Sequence, residues 1–198
     1  MSGLFERLHA AFAASIERAH LGLHDDGRFV PPVTRPAAVL MAVTDRPEPG
    51  LILTHRPHTM AKHPGQVSFP GGKIEPGEDA VAAALREAEE ELSIAPHAVR
   101  VVGMAERFTT GSGFEVTPVL GVISPDTPIT PHPHEVAGWF EVPLAFALDR
   151  ANHAQRVGLL GGHERRYVEI MYGEHRIWGI TAAIIGNLSH RLEGGLFA

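Results

Sequence analysis

The apolar positions of this chain change period several times, and each change predicts an element. Over residues 4–20, Leu4, Phe5, Leu8, Phe12 and Ile16 recur at helical spacing. Glu6 and Arg7 lie inside that run, so it predicts a packing helix and not the apolar core of a signal peptide. Residues 27–35 are rich in Pro, which fixes φ and turns its predecessor away from helix; they predict an extended approach. Residues 37–44 then form a buried strand, Pro47, Pro49 and Gly50 a turn, and residues 51–56 a second strand antiparallel to the first. Residues 58–66 read as a loop and 66–70 as extended chain. After the turn Glu75-Pro76-Gly77, Asp79 opens a helix that ends near Leu92, with Val81, Leu85, Ala88 and Leu92 as its inward stripe.

Strand-like content returns at residues 100–108 and 115–123, around Thr109-Thr110-Gly111-Ser112-Gly113, a loop flexible enough to approach a ligand closely. Residues 124–134 are Pro-rich and irregular, followed by a strand at 136–142 and a short helix at 144–148. A hairpin across Gly173 joins residues 165–172 to 174–178, and a last helix runs over 179–192. There is no internal repeat.

Composition narrows the function classes. The 198 residues, 44% hydrophobic, are enough for a single domain over 1–198, with residues 1–35 as N-terminal helix and lead-in. A formal charge of −6 argues against a nucleic-acid partner. Without any Cys, disulfides, thiolate zinc sites and cysteine nucleophiles are excluded. The longest apolar run, residues 37–43, is too short to span a membrane, and the ending Leu196-Phe197-Ala198 matches no peroxisomal or prenylation signal, so the expected location is cytoplasmic. Gly111-Ser112-Gly113 lacks the flanks of a nucleophile elbow, Gly71-Gly72-Lys73 is not a P-loop, and His132-Pro133-His134 has no third zinc ligand at useful spacing.

The chemistry lies in the run Arg86-Glu87-Ala88-Glu89-Glu90-Glu91. At helical spacing Glu87, Glu90 and Glu91 span about one quadrant of the helix, while Glu89 falls off that face. Such like charges cost an isolated helix roughly 0.2–0.5 kcal/mol per pair, so a packed acid face calls for a cation beside it. A hard divalent ion with oxygen ligands is the natural candidate. A bare Glu-rich stretch is more often a solvated face; here the Pro70-Gly71-Gly72 turn upstream and the spacing tip the balance to a metal site.

Gly72, five residues, Glu78, seven residues, Arg86-Glu87, two residues and Glu90-Glu91 resemble the Nudix box, spanning residues 72–94. The resemblance implies an α/β (α+β) fold: an α/β/α sandwich with a mixed sheet between the box helix and the C-terminal helix. It also implies Mg²⁺ or Mn²⁺ held by the Gly72 carbonyl and by Glu87, Glu90 and Glu91, with Glu78 structural, and hydrolysis of a nucleoside diphosphate linked to another moiety. Arg86 stands four residues before Glu90 and can hold it. Two departures occur: Ser93 replaces the Gly that suits a left-handed helix end, and Ala88 replaces a larger aliphatic residue.

Upstream, Leu53-Thr54-His55-Arg56, Gly65 and Phe69-Pro70-Gly71-Gly72 resemble the signature of the coenzyme A pyrophosphatase branch, as do residues 109–118 and 177–182. Pro57 and Ala61 depart from it; Ala61 stands where that branch carries an Arg, leaving Lys62 or His63 as substitutes. The implied substrate is coenzyme A, cut to 3′,5′-ADP and 4′-phosphopantetheine, with Arg56, Lys62, His63, Ser112 and Phe114 as substrate contacts. The general base would be a box carboxylate or Glu135, and Trp178 would pack in the core rather than stack on adenine. Two other functions stay open: a Nudix hydrolase of ADP-ribose or a dinucleotide such as NADH, and a Nudix-fold sensor, which would usually have lost box carboxylates. A homodimer is left open as well.

Overall fold

The computed structural model describes residues 3–15, 34–57, 65–160 and 163–193. Its central strand, β1 (Arg35–Thr44), explains its own composition. Ala37, Met41 and Val43 face one core, while Ala38, Leu40 and Ala42 face another. Burial on both sides is what produces a continuous apolar run instead of alternation.

The elements that follow are β2 (Gly50–His55), β3 (Val67–Ser68), β4 (Gly71–Lys73), β5 (Val99–Met104), β6 (Phe108–Thr109), β7 (Phe114–Ile123), β8 (Gly138–Pro143), β9 (Ala154–Leu160), β10 (His163–Tyr172) and β11 (His175–Trp178). Four helices join them: α1 (Leu4–Ala14), α2 (Ala80–Leu92), α3 (Leu144–Leu148) and α4 (Ile180–Leu192). β7 lies parallel to β1 along its whole length, from Arg35↔Phe114 to Thr44↔Ile123. On the other edge β1 pairs with β2 only at Val43↔Leu51 and Thr44↔Gly50. The two then part, and residues 67–73 fill the opening: β3 pairs with β2 at Thr54↔Ser68, and β4 pairs with β1 at Ala38↔Gly72. The Leu40 N–H also donates to the Pro70 carbonyl at 2.9 Å. Gly71 and Gly72 are thereby built into the sheet. β5 and β6 run antiparallel to β7, and β8 covers the outer edge of β2.

The expected sandwich forms. α2 packs on one face of this mixed sheet; α1, α3 and α4 pack on the other. A second, antiparallel sheet, β9–β10–β11, buries Val168, Ile170 and Ile177 in the core that α4 shares.

Several expectations are corrected. The inward stripe of α2 is centred on Ala83, Ala84, Ala88 and Leu92, with Val81 and Leu85 only half-buried at its margins. Small side chains let the helix sit close over Ala38 and Ala42, so the larger ones are displaced outward. The expected strand over 100–108 is interrupted: a bulge between Val101 and Gly103 bends β5 before β6 begins. β9 had no strand signal in the sequence because Val157 and Leu159 are exposed, at 58% and 80%, and Gly158 interrupts the run. α1 ends at Ser15, and residues 16–20, to which its helix was extended, lie outside the described residues. Trp178 does not enter the core. Ile177 takes the inward position, and Trp178 lies half-buried on the opposite face, its ring 5.8 Å from Tyr167. Among the described residues no helix is long and apolar enough to cross a membrane.

Candidate active site

The acid helix α2 is secured at both ends. Asp79 caps its start by accepting the Ala82 N–H at 2.8 Å. At its end Ser93 adopts the left-handed conformation usually given to Gly, with φ 59°, and its N–H donates to the Glu89 carbonyl. The Ser93 hydroxyl donates to the Thr130 carbonyl at 3.1 Å, a bond that Gly could not make. The Pro-rich segment over 124–134 supplies donors to the last-turn carbonyls: Thr130 N–H to Leu92 and His132 N–H to Glu91, both at 2.8 Å. This crossing carries the following turn, and Glu135 with it, over the acid face.

Arg86 organises the carboxylates. Its guanidinium grips Glu78 through two bonds of 2.9 and 3.1 Å, and donates to Glu87 and Glu90 at 3.0 Å each. A further bond of 3.0 Å reaches the Lys73 carbonyl, tying α2 to β4. Glu78 also accepts the Glu75 N–H, and these contacts hold its carboxyl below the usual range. Glu87 lies directly against Gly72: a Cβ added there would fall on the Glu87 carboxylate. Glu91 points inward and accepts the Gly71 N–H at 3.2 Å.

Burial sets the electrostatics. Glu91 is pushed up to about 8, first by loss of solvent and further by the charges of Glu87 and Glu135; the Gly71 N–H and the positive charge of Arg56 oppose this. Glu87 is raised as well, by burial and by Glu90 and Glu135, against the pull of Arg86. Glu91 therefore feels the charges of Arg56, Glu87 and Glu135, and Glu87 that of Glu135, so residues from three distant stretches act on the same pair of carboxyls. Glu90 is the outlying member, half-exposed and drawn toward Arg86. Among the described residues no three acidic or imidazole groups converge closely enough to form a ready-made cage. The donor set nevertheless fits a hard divalent ion: carboxylate oxygens whose proton affinity is raised first by burial and then by neighbouring acids, beside a strand of two glycines that leaves room.

Ser112 and Phe114 belong to the β6–β7 hairpin, at the end of the sheet where β4 pairs with β1. Phe114 carries the Arg35 guanidinium over its ring at 4.1 Å, and the Ser112 carbonyl accepts a bond of 2.9 Å from Arg35. Lys62 and His63 lie outside the described residues. Sequence reasoning missed Arg35, whose partner Ser112 is 77 positions away. It also missed the Gly71 N–H and the Lys73 carbonyl, since backbone groups carry no residue signature.

An acid-bearing helix tied to a Gly-Gly strand inside an α/β/α sandwich defines a class of hydrolases that cleave phosphorus anhydrides. The NUDIX domain family matches residues 34–159, more than half of the chain, and the chain belongs to the Nudix hydrolase family. A protein of Cronobacter sakazakii named Nudix hydrolase NudL is 46% identical over 157 residues, covering 78% of this chain and 81% of that protein. NudL of Escherichia coli K12 is 44% identical over 156 residues, with the same coverage. Among solved structures, a Caenorhabditis elegans Ap4A hydrolase binary complex is similar with a TM-score of 0.48 and 22% identity, over 55% of this chain and 80% of that one. A Nudix hydrolase from M. smegmatis, RenU, gives 0.49 and 20%, over 56% and 71%. Nudix hydrolases generally use divalent metals such as Mg²⁺ or Mn²⁺.

Proposed function

We propose that this Nudix hydrolase cleaves the diphosphate of coenzyme A or its derivatives, giving 3′,5′-ADP and 4′-phosphopantetheine or its acyl form. The observation that carries the reading of a metal-assisted hydrolase is the buried Glu91 carboxyl, raised to about 8 among other acids at the Gly71-Gly72 strand. A carboxylate so placed is costly without a cation. Gly72, Glu87, Glu90 and Glu91 would hold Mg²⁺ or Mn²⁺. Such an ion, when bound, neutralises diphosphate oxygens and eases ionisation of water. Arg86 fixes Glu87 and Glu90 in position, and the positive charge of Arg56 beside Glu91 faces the negative diphosphate. Water attacks phosphorus, the anhydride P–O bond breaks, and the proton of the water passes to a carboxylate.

Glu135 is the proposed acceptor of that proton, because its charge reaches both Glu87 and Glu91 while its side chain stays half-exposed. Glu135→Gln is expected to lower kcat with little change in KM and to flatten the acidic limb of the pH–rate profile. Wild-type kcat in that variant would return the role to a box carboxylate.

The coenzyme A assignment is supported by the residues 53–72 pattern. With Mg²⁺, kcat/KM is expected to be higher for coenzyme A than for ADP-ribose or NADH. Dephospho-coenzyme A should be cleaved about ten- to a hundredfold less efficiently, the scale of one charge-assisted contact. Mass identification of the products checks the point of cleavage. A preference for ADP-ribose or NADH would overturn the substrate assignment, and no cleavage with either metal would favour the sensor.

A further inference from the structure

β2 sends successive side chains to opposite sides of the large sheet. Ile52 lies in the core under α2, whereas Leu51 and Leu53 lie in the core that α4 shares. The alternation continues through His55 and Arg56. Arg56 is on the α2 side, where its charge reaches Glu91. His55 emerges on the other side, beside Phe140 and against the second sheet. There the His55 Nε2 and the His175 Nδ1 lie 2.9 Å apart, a hydrogen bond across 120 positions of sequence. One ring donates its N–H and the other accepts.

His175 holds more than one strand. Its ring stacks on Phe140 of β8, with centroids 3.7 Å apart and planes within 12° of parallel. Just past β11, the Thr181 hydroxyl donates to the Val67 carbonyl of β3 at 3.0 Å. All three strands lead into the acid site from behind: β2 ends one residue before Arg56, β3 runs on toward Gly71 and Gly72, and β8 begins shortly after Glu135. At this end β2 has already parted from β1; its neighbours are β3, only two residues long, and the beginning of β8. A strand end with so little ladder around it depends on its side chains for its position. Misplacing a substrate-binding group by about 1 Å can cost as much as 10²-fold in rate.

We infer that His175 is a positioning residue for diphosphate binding: through its bond to His55 it fixes the end of β2, so that Arg56 meets the diphosphate on the opposite side of the sheet. This rests on the proposed role of Arg56 as a diphosphate contact and is independent of which nucleotide is cleaved. His175 itself touches no substrate.

The probe is ADP, which carries the diphosphate common to coenzyme A, ADP-ribose and NADH. Calorimetric titration with ADP and Mg²⁺ compares the wild type with Arg56→Gln, His175→Phe, His175→Asn and the double variant Arg56→Gln/His175→Phe. Phe keeps a ring on Phe140 and removes the bond to His55, whereas Asn returns a donor or acceptor near the Nδ1 position. Arg56→Gln should weaken ADP about ten- to a hundredfold, the scale of one charge-assisted contact. His175→Phe should weaken it about three- to tenfold, His175→Asn should recover part of that loss, and in the Arg56→Gln background His175→Phe should add nothing. Wild-type affinity in His175→Phe, even with a lowered Tm, would overturn the assignment, as would an equal loss in His175→Asn or a full His175→Phe effect without Arg56. The two levels fail separately. Unchanged affinity in Arg56→Gln sinks the proposed diphosphate contact itself, whereas a weakened Arg56→Gln beside an unaffected His175→Phe sinks the positioning alone.

Discussion

Glu91→Gln is expected to reduce turnover by about 10² or more while making the metal-free protein more stable at pH 8. The substitution keeps the shape and the acceptor for the Gly71 N–H but removes the charge that would hold a cation. The stability change follows from the raised pKa. Folded Glu91 titrates at about 8, against an ordinary value of 4.5, so the folded state binds more protons over that interval. Its contribution is fully favourable below the unfolded value and is lost as pH rises through about 8, at about 1.4 kcal/mol per unit of difference. The Tm of the metal-free wild type should therefore fall between pH 5 and pH 8 relative to Glu91→Gln, and saturating Mg²⁺ should erase the difference. Metal affinity should rise over the same interval, because binding displaces the proton. Near-normal turnover in Glu91→Gln, or a Tm gap independent of pH, would remove Glu91 from the metal site.

Adjacent glycines should respond to Ala in opposite ways. A Cβ at Gly72 meets the far end of the Glu87 side chain, which can swing aside. Gly72→Ala is thus expected to fold with a loss within about 1 kcal/mol, yet to lower turnover about 10²-fold by displacing Glu87. A Cβ at Gly71 would overlap the Ala38 carbonyl and lie 2.7 Å from the Val39 Cα, and Gly71 has φ 156°. Relief there requires opening the β1–β4 pairing, so Gly71→Ala should cost about 3 kcal/mol or more in denaturant unfolding. An active Gly72→Ala, or a Gly71→Ala as stable as the wild type, would contradict the assignment of these two positions.

Local chemistry made much of the site legible. Helical spacing put Glu87, Glu90 and Glu91 on one quadrant, and the i,i+4 relation of Arg86 to Glu90 survives as a 3.0 Å bond. The double-sided burial of β1 was legible because it leaves a continuous apolar run. Ser93 was the weak point by residue type, and the helix nonetheless ends there because Thr130, 37 positions on, accepts its hydroxyl. β9 left no trace in hydrophobic periodicity, since its large apolar residues face solvent.

The sequence by itself determined the elements that depend on near neighbours: the acid face, the Asp79 cap at the start of α2 and the turn before it, the buried strand, and through motif spacing the family. Only the tertiary structure decided how far Glu91 is desolvated, that Arg56 and Glu135 share its field, and that Arg35 rests on Phe114. It also decided that Glu90 leans outward and that Trp178 stays out of the core. Spacing along a chain reports which side chains share a face. Desolvation and the sum of charges around a carboxyl depend on three-dimensional distance between segments far apart in sequence, and only the folded arrangement sets those distances.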